Sequence, residues 1–407
     1  MSTQSLQIVK FNPQAYVVIE GQEELKEFYI IQSGQVRTYK STPVYGDDKP
    51  SVLGPGDFFG VESAMSGHKP IEVAQALTPV SAIKVRSDQF GLLIQKSAPL
   101  AMKIIRSFSM KLRAFDTAIT RLSFRNALDE DPSHLFELGE SWFKKSRIDH
   151  AAYAFQRYLQ YCPKGEHISQ TKMYLQKMNR PLQAPPAADK TMNRVYTKDR
   201  IVFCENEPGY ELYIIQSGSV MITKLVNGQE VMLAVLNVGD IFGEMAILDN
   251  KPRSATAVVA EETKMMAINK DNFEALVKSN PNIAVKLITL LSERIWTAYR
   301  QLANLTIDDP VGRLYDMLLI QVEKNKIPVK AKATHDFNIG AGDLLKMVGF
   351  DPQNDQQYVA SIINKHRWLK LDQGTIRCYD LLELERQVDF YRKAVLRKRQ
   401  KAAAMTI

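Results

Sequence analysis

The sequence predicts an α+β multidomain chain: two copies of one β-rich unit, each closed by a long helix, an all-helical spacer between them, and a helix-turn-helix behind the second copy. Three observations lead there. Tyr29-Ile30-Ile31-Gln32-Ser33-Gly34 recurs letter for letter as Tyr213-Ile214-Ile215-Gln216-Ser217-Gly218, and Gly56-Asp57-Phe58-Phe59-Gly60 answers Gly239-Asp240-Ile241-Phe242-Gly243, so the chain repeats a unit. An apolar stripe with helical spacing follows each copy. Beyond the second stripe come two shorter helical patterns and a Gly-centred turn.

Taken in order, residues 1–126 and 190–306 are the two copies. Each reads as short apolar stretches broken by Gly, Asp and Asn, and Val226-Asn227-Gly228-Gln229 is a hairpin-turn signal. Each ends in a helix opened by proline, Pro99 or Pro281. In the first helix Ala101, Ile105, Phe108, Leu112, Phe115, Ile119 and Leu122 recur at four and three, as do Ala284, Ile288, Leu291, Ile295, Ala298, Leu302 and Leu305 in the second. Such a heptad seam packs helix against helix. Phe108 and Phe115 facing Ala284 and Ala298 make a large-to-small fit, which favours pairing of the unlike helices within one chain as a pseudo-dimer.

Between Phe242 and Ala257 the second copy reads Phe-Gly-Glu-Met-Ala-Ile-Leu-Asp-Asn-Lys-Pro-Arg-Ser-Ala-Thr-Ala. Gly243 allows a tight turn and close backbone approach, after which the amides of Met245 and Ala246 open a short helical turn that favours an anion. Arg253 can add a charge-assisted bond to a phosphate oxygen, Glu244 can accept from a hydroxyl, and Ser254 offers a further hydroxyl. The string resembles the phosphate-binding segment of the cyclic-nucleotide-binding domain family. That resemblance implies a β-roll, jelly-roll-like, for each copy. It also implies a cyclic purine mononucleotide, cyclic AMP or cyclic GMP, as ligand, with Glu244 on the ribose 2′-hydroxyl. In the family the long helix closes over the base, which puts Arg294 within reach of Glu244. By count from Arg253 the threonine that receives adenine falls at Ala298, with Thr297 one step out of register, so base identity stays open.

The copies differ where this chemistry would occur. Matching Gly60 to Gly243 sets Val61 opposite Glu244, and matching Pro70 to Pro252 sets Ile71 and Glu72 opposite Arg253 and Ser254. Glu62 could replace the ribose carboxylate if the turn shifts, but nothing replaces the arginine. The first copy is therefore expected to be degenerate.

Residues 127–180 form the spacer. After the helix-start signal Asp129-Glu130-Asp131-Pro132, Gly139 in one helix, Ala151 and Phe155 in the next and a closing Pro163 resemble a tetratricopeptide unit, with a third helix over 166–179. One such repeat cannot bury both faces, so it packs on a roll as a rigid spacer or offers a groove to a partner peptide. Residues 181–189, rich in Pro and Ala, read as a stiff linker.

Residues 307–385 open with Asp309-Pro310-Val311-Gly312-Arg313-Leu314 and resemble the winged helix-turn-helix of the cyclic-AMP receptor protein family. Asp343 to Phe350 would be the first helix and turn, with Gly349 at the turn, Gln356 to His366 the recognition helix with Val359, Ile362 and Ile363 inside, and Gln373 to Tyr379 the wing. Positions that are Arg, Glu and Arg in the family are Gln356, Gln357 and Ser361 here. Glutamine can bond adenine edges, and Lys365 and Arg367 could touch phosphates. Asn354 and Asp355 leave the leading half without positive charge, so protein contact is the competing use. Residues 386–407 form a basic tail.

Composition bounds the rest. An apolar content of 45% with 24% charged residues is that of a globular chain, and +8 net charge with a pI of about 9.1 permits a nucleic-acid partner without demanding one. Cys162, Cys204 and Cys378 are too scattered to staple a fold or hold a metal, which suits the cytoplasm. No membrane-length apolar run and no secretory leader is present. No metal ligand set, nucleophile-base pair or triphosphate loop points to an enzyme, so neither catalytic residues nor a metal are expected. The reading is a cyclic-nucleotide-responsive transcription regulator, with a ligand-switched interaction scaffold that binds no DNA as the alternative. A homodimer would form elsewhere than at the seams, or only on DNA.

Overall fold

The computed structural model describes residues 6–40, 50–124, 131–179, 191–226, 229–337, 344, 348, 356–372 and 375–404. The chain divides into two compact units, Met1–Phe90 with Ala114–Arg125 and Ser292–Ile407, and Gly91–Arg113 with Asn126–Leu291. Both long helices, Ala98–Phe124 and Pro281–Leu305, are thus shared between units.

In the first unit two four-stranded antiparallel sheets form a roll. One runs Gln7–Phe11, Val80–Arg86, Glu27–Ser33, Phe58–Phe59, and the other Tyr16–Val18, Val73–Ala76, Val36–Tyr39, Ser51–Leu53. Inward residues Val18, Ile31, Val36, Phe59, Ala74 and Val80 share one core. The repeated Gly34 has φ 89°, and a Cβ there would sit 2.3 Å from the Pro79 carbonyl oxygen. Gly218, its counterpart in the second unit, has φ 82° and a Cβ there would lie 2.4 Å from the Glu262 carbonyl. Both turns need φ > 0 under a crossing strand, which is why the repeated hexapeptide ends in glycine.

The rest of the first unit begins after the seam. Asp309 caps the helix Pro310–Lys324, accepting from the amides of Val311 (2.8 Å) and Gly312 (3.2 Å), with proline inside the cap. A three-stranded sheet orders His335–Phe337, Thr375–Cys378 and Leu369–Asp372. With the helix Gln356–Asn364 it buries Leu318, Phe337, Val359, Ile363, Leu369 and Ile376. That helix ends two residues before the expected His366, because the Asn364 side-chain oxygen accepts from the Leu371 amide (3.0 Å) and turns the chain into the hairpin. The expected first helix and turn, Gly349 included, lie outside the described residues apart from Leu344 and Val348. So do Asn354, Asp355, the wing tip 373–374 and the hairpin tip 227–228.

The tail expected from 386 continues the single helix Leu381–Ala404. Its Arg392 bonds the buried Asp316 through Nε (2.9 Å) and Nη2, and Arg300 of the long helix reaches the same carboxylate at 3.3 Å. Asn304 Nδ2 donates to Asp316 at 3.0 Å. One buried carboxylate therefore ties together the long helix, the helix after it and the last helix.

In the second unit the roll repeats: Ile201–Phe203, Thr256–Val259, Val220–Val226, Gln229–Leu236 in one sheet and Ile241–Phe242, Glu211–Ser217, Thr263–Asn269, Asn193–Tyr196 in the other. Before it come helices His134–Lys144, Ile148–Tyr161 and Ile168–Lys177. A Cβ at Gly139 would lie 2.6 Å from the Phe155 ring, so the first two helices touch where the sequence pairs glycine with phenylalanine. The third starts later than 166 because the His167 amide donates to the Tyr158 hydroxyl (2.9 Å). These helices share a core with Ile201, Cys204, Leu225 and Val258 of the roll. The linker 181–189 lies outside the described residues.

Replacing Asp316 by alanine takes the shared carboxylate from Arg392, Arg300 and Asn304, of which Arg300 keeps Glu323 at 3.0 Å. The loss is expected to be about 3 kcal/mol, the lower end for breaking a buried ion pair because Arg392 keeps some solvent. Urea denaturation of the full chain measures it, and an unchanged midpoint would remove the carboxylate from the joint.

Candidate functional site

The site is built at the junction of the strand Ile241–Phe242 with a six-residue helix, Glu244–Asp249. Gly243 at the junction has φ 75°, and a Cβ there would meet Arg253 Nη1 at 2.7 Å, so glycine is required both by the turn and by the guanidinium. Glu244, Met245 and Ala246 are buried in the first turn of that helix, whose N-terminal end favours negative charge. Asn250 turns the chain again at φ 56°, and Pro252 and Arg253 lead into the strand Thr256–Val259.

Arg253 is 5% exposed. Its Nη1 donates to the Gly243 carbonyl (2.7 Å), its guanidinium lies 4.1 Å from the Phe203 ring centre, and Tyr213 stands at 6.0 Å. Its backbone is clamped on both sides, the amide donating to the Glu207 carbonyl (2.8 Å) and the carbonyl accepting from the Asn206 amide (2.8 Å). Burial pulls the guanidinium pKa down, against the opposing pull of Tyr213, Glu207, Glu211 and Glu244. Nε is buried without a hydrogen-bond partner among the described residues. A buried donor of this kind suits an anion, which would satisfy it and offset the charge.

Glu207, also buried, lies 3.4 Å from Arg157 Nε of the spacer and accepts from the Cys204 amide (2.8 Å). Gly209 closes the other wall: a Cβ there would sit 2.3 Å from Ala246 Cβ and 2.7 Å from Arg253 Nε. Ser254 Oγ stands 3.8 Å from Met245 Sδ. Gly243, Glu244, Met245, Ala246, Arg253 and Ser254 thus gather at one place in the second unit. Arg294 and Thr297 belong to the first unit, where the Thr297 hydroxyl donates to the Glu293 carbonyl (2.9 Å). Sequence reasoning missed Phe203, Glu207 and Gly209. The only signal for them was position, on the strand and turn that precede the repeated hexapeptide.

The first roll has the same frame with different contents. Gly60, φ 79°, precedes the helix Val61–Ser66, but buried Val61 and Ile71 stand where Glu244 and Arg253 stand in the second. His68 stacks on Trp296 with ring centres 4.0 Å apart, and burial, reinforced by Lys326, lowers its pKa to about 4, so it is neutral near pH 7.

In the C-terminal part, Gln357, Ser361, Lys365 and Arg367 are exposed, while Val359, Ile362 and Ile363 face the core. Ser361 Oγ donates to the Tyr358 carbonyl (2.6 Å). Gln356 opens the helix, and its side chain lies outside the described residues. Among the described residues no cluster of His, Cys, Asp and Glu could hold a metal ion, and no helix is long and apolar enough to cross a membrane.

The family model described as cyclic nucleotide-binding domain matches residues 8–97 and 193–280. A cyclic AMP receptor protein of Thermus thermophilus is 31% identical over 164 residues, covering 39% of this chain and 76% of its own length. The chain belongs to the cyclic-AMP receptor protein family. A CRP-like cAMP-activated global transcriptional regulator of Mycobacterium tuberculosis is 27% identical over 195 residues, covering 47% of this chain and 86% of its own. A cAMP-dependent protein kinase regulatory subunit of Mycosarcoma maydis is 25% identical over 248 residues, covering 60% of this chain and 37% of its own. This member of the family therefore carries two cyclic nucleotide-binding domains, and its Arg253 segment lies between the second domain's strands.

Gly209→Ala is expected to push Ala246 and Arg253 apart at a cost of about 1–3 kcal/mol, the range for overpacking a filled core. Thermal denaturation checks this, and a midpoint equal to that of the unaltered chain would show that the wall is loose.

Proposed function

We propose that the protein is a cytoplasmic, cyclic-AMP-responsive transcription regulator whose second roll binds the nucleotide and whose C-terminal helix and hairpin act as a winged helix on DNA. The observation that carries the first half is the buried Arg253 with an unsatisfied Nε beside the turn at Gly243. A cyclic phosphate there would accept from Arg253 and lie at the helix end, with Glu244 on the ribose and Ser254 on phosphate or base. Arg294 and Thr297, on the long helix, would close over the base. The regulatory names of the relatives support cyclic AMP over other anions.

DNA contact through Gln356, Gln357, Ser361, Lys365 and Arg367 is supported by the exposure of Gln357 and Ser361 on a helix whose opposite face is buried, and of Lys365 and Arg367 just beyond its end. The two long helices are proposed to pair within one chain. Ala101, Ile105, Phe108, Leu112 and Phe115, and Ala284, Ile288, Leu291, Ile295 and Ala298, are all buried in the single chain. Within the first unit, Phe115 and Tyr299 meet at 6.4 Å between ring centres. The spacer is read as a tetratricopeptide-like mount fixed to the second roll, supported by the core the two share.

Arg253→Ala should abolish nucleotide binding, since leaving a buried phosphate without its charged partner costs roughly 2–5 kcal/mol, or about thirty-fold or more in affinity. Calorimetry of the full chain with cyclic AMP and cyclic GMP is the test, and retained affinity would remove the assignment. For DNA, genomic fragments are captured with and without cyclic AMP. Salt-resistant enrichment of particular sites is expected, and only weak, salt-sensitive capture would favour a scaffold without DNA.

A further inference from the structure

Arg113 lies on the long helix that follows the first roll, yet in the second unit it serves the second roll's ligand segment. It is 6% exposed, and its Nη1 donates to the Pro252 carbonyl at 3.0 Å. Pro252 immediately precedes Arg253, whose amide and carbonyl are held by Glu207 and Asn206 at 2.8 Å each. Proline has no amide to anchor itself, so the 252 carbonyl is its only backbone polar group and the one by which a donor can hold it. Arg113 supplies that donor. The turn carrying Arg253 is thereby pinned from the second roll on one side and from the first repeat's helix on the other.

The same helix position does the corresponding job in the first unit. Leu112 and Ile295 are equivalent seam residues, and the residues after them are Arg113 and Trp296. Trp296 stacks on His68, at 4.0 Å and 14° between rings, in the turn that ends at Pro70, the counterpart of Pro252. Each ligand-segment turn is thus met by the helix of the other repeat. A cation bonded to a carbonyl meets the turn that keeps its arginine, and a ring stack meets the turn that has lost it.

We propose that Arg113 is a positioning residue of the second roll's cyclic-nucleotide site, contributed by the helix that follows the first roll. The inference rests on the nucleotide reading of the Arg253 segment. It acts through the turn that carries the phosphate-binding arginine and not through the base, so its loss weakens cyclic AMP and cyclic GMP by the same factor.

Calorimetry of full-length Arg113→Met and Arg113→Lys with both nucleotides tests it, with Arg253→Ala and the unaltered protein alongside. Arg113→Met should lose about tenfold in affinity for each nucleotide, the scale of one hydrogen bond from a charged donor. Arg113→Lys, which can still donate to the carbonyl, should recover part of the loss. Unaltered affinity in Arg113→Met overturns the proposal, as does a loss confined to one nucleotide. If Arg113→Met does not fold, Arg113→Lys decides: an affinity unchanged or lowered unequally for the two nucleotides overturns the proposal, and an equal, partial loss supports it. Binding that is present in the unaltered protein, lost in Arg253→Ala and kept in Arg113→Met sinks this inference alone. Absence of binding in the unaltered protein sinks the nucleotide reading itself.

Discussion

A guanidinium taken almost wholly out of water must be repaid by its surroundings, and much of the second roll is arranged to do so for Arg253. Phe203 offers a ring face, the Gly243 carbonyl accepts one N–H, and Glu207 and Glu244 lie near enough to oppose the pull of burial on its pKa. The demand reaches outward from there. Gly243 and Gly209 are glycine because the guanidinium occupies the space a Cβ would take, and Glu207 is itself held by Arg157 of the spacer. What the surroundings leave unfinished, a buried Nε without an acceptor, is what an anion completes.

Removing that cation changes what the same frame can do. The first roll keeps the glycine turn, the short helix and the stacked Tyr29 and Phe59 that answer Tyr213 and Phe242. Ile71 in place of Arg253 lets that position pack as ordinary core, although Glu62 stays buried in the helix before it. His68 then stacks on Trp296 while neutral, so an apolar contact joins this turn to the helix Pro281–Leu305.

How much of this the sequence reveals depends on whether a feature is local. The repeated hexapeptide, the Gly243 to Ser254 string and the four-and-three seams are contiguous or periodic, and they translate directly into the two rolls, the turn around Arg253 and buried helix faces. Gly139 and Phe155 were legible because the helical hairpin is a short-range pattern. Glu207, Gly209 and Arg113 were not. Each acts on Arg253 from a distance in sequence, and none carries a spacing signal of its own. Composition marks 386–407 only as a basic tail, whereas Arg392 is bound to Asp316, a partner 76 residues away. The winged-helix turn around Gly349 falls outside the described residues, so sequence resemblance remains the support for it.

Arg300, Asp316 and Arg392 join the helix Pro281–Leu305 to the C-terminal helices, so a shift of that helix must carry or break the shared carboxylate. The proposed function requires that one chain hold both rolls and a single working nucleotide site. Native mass spectrometry of the full-length protein with saturating cyclic AMP measures this in a single spectrum. A species of one 46.2 kDa chain carrying one nucleotide is expected. A two-chain species at nanomolar concentration that falls apart on Leu291→Asp, or two nucleotides on each chain, would overturn it.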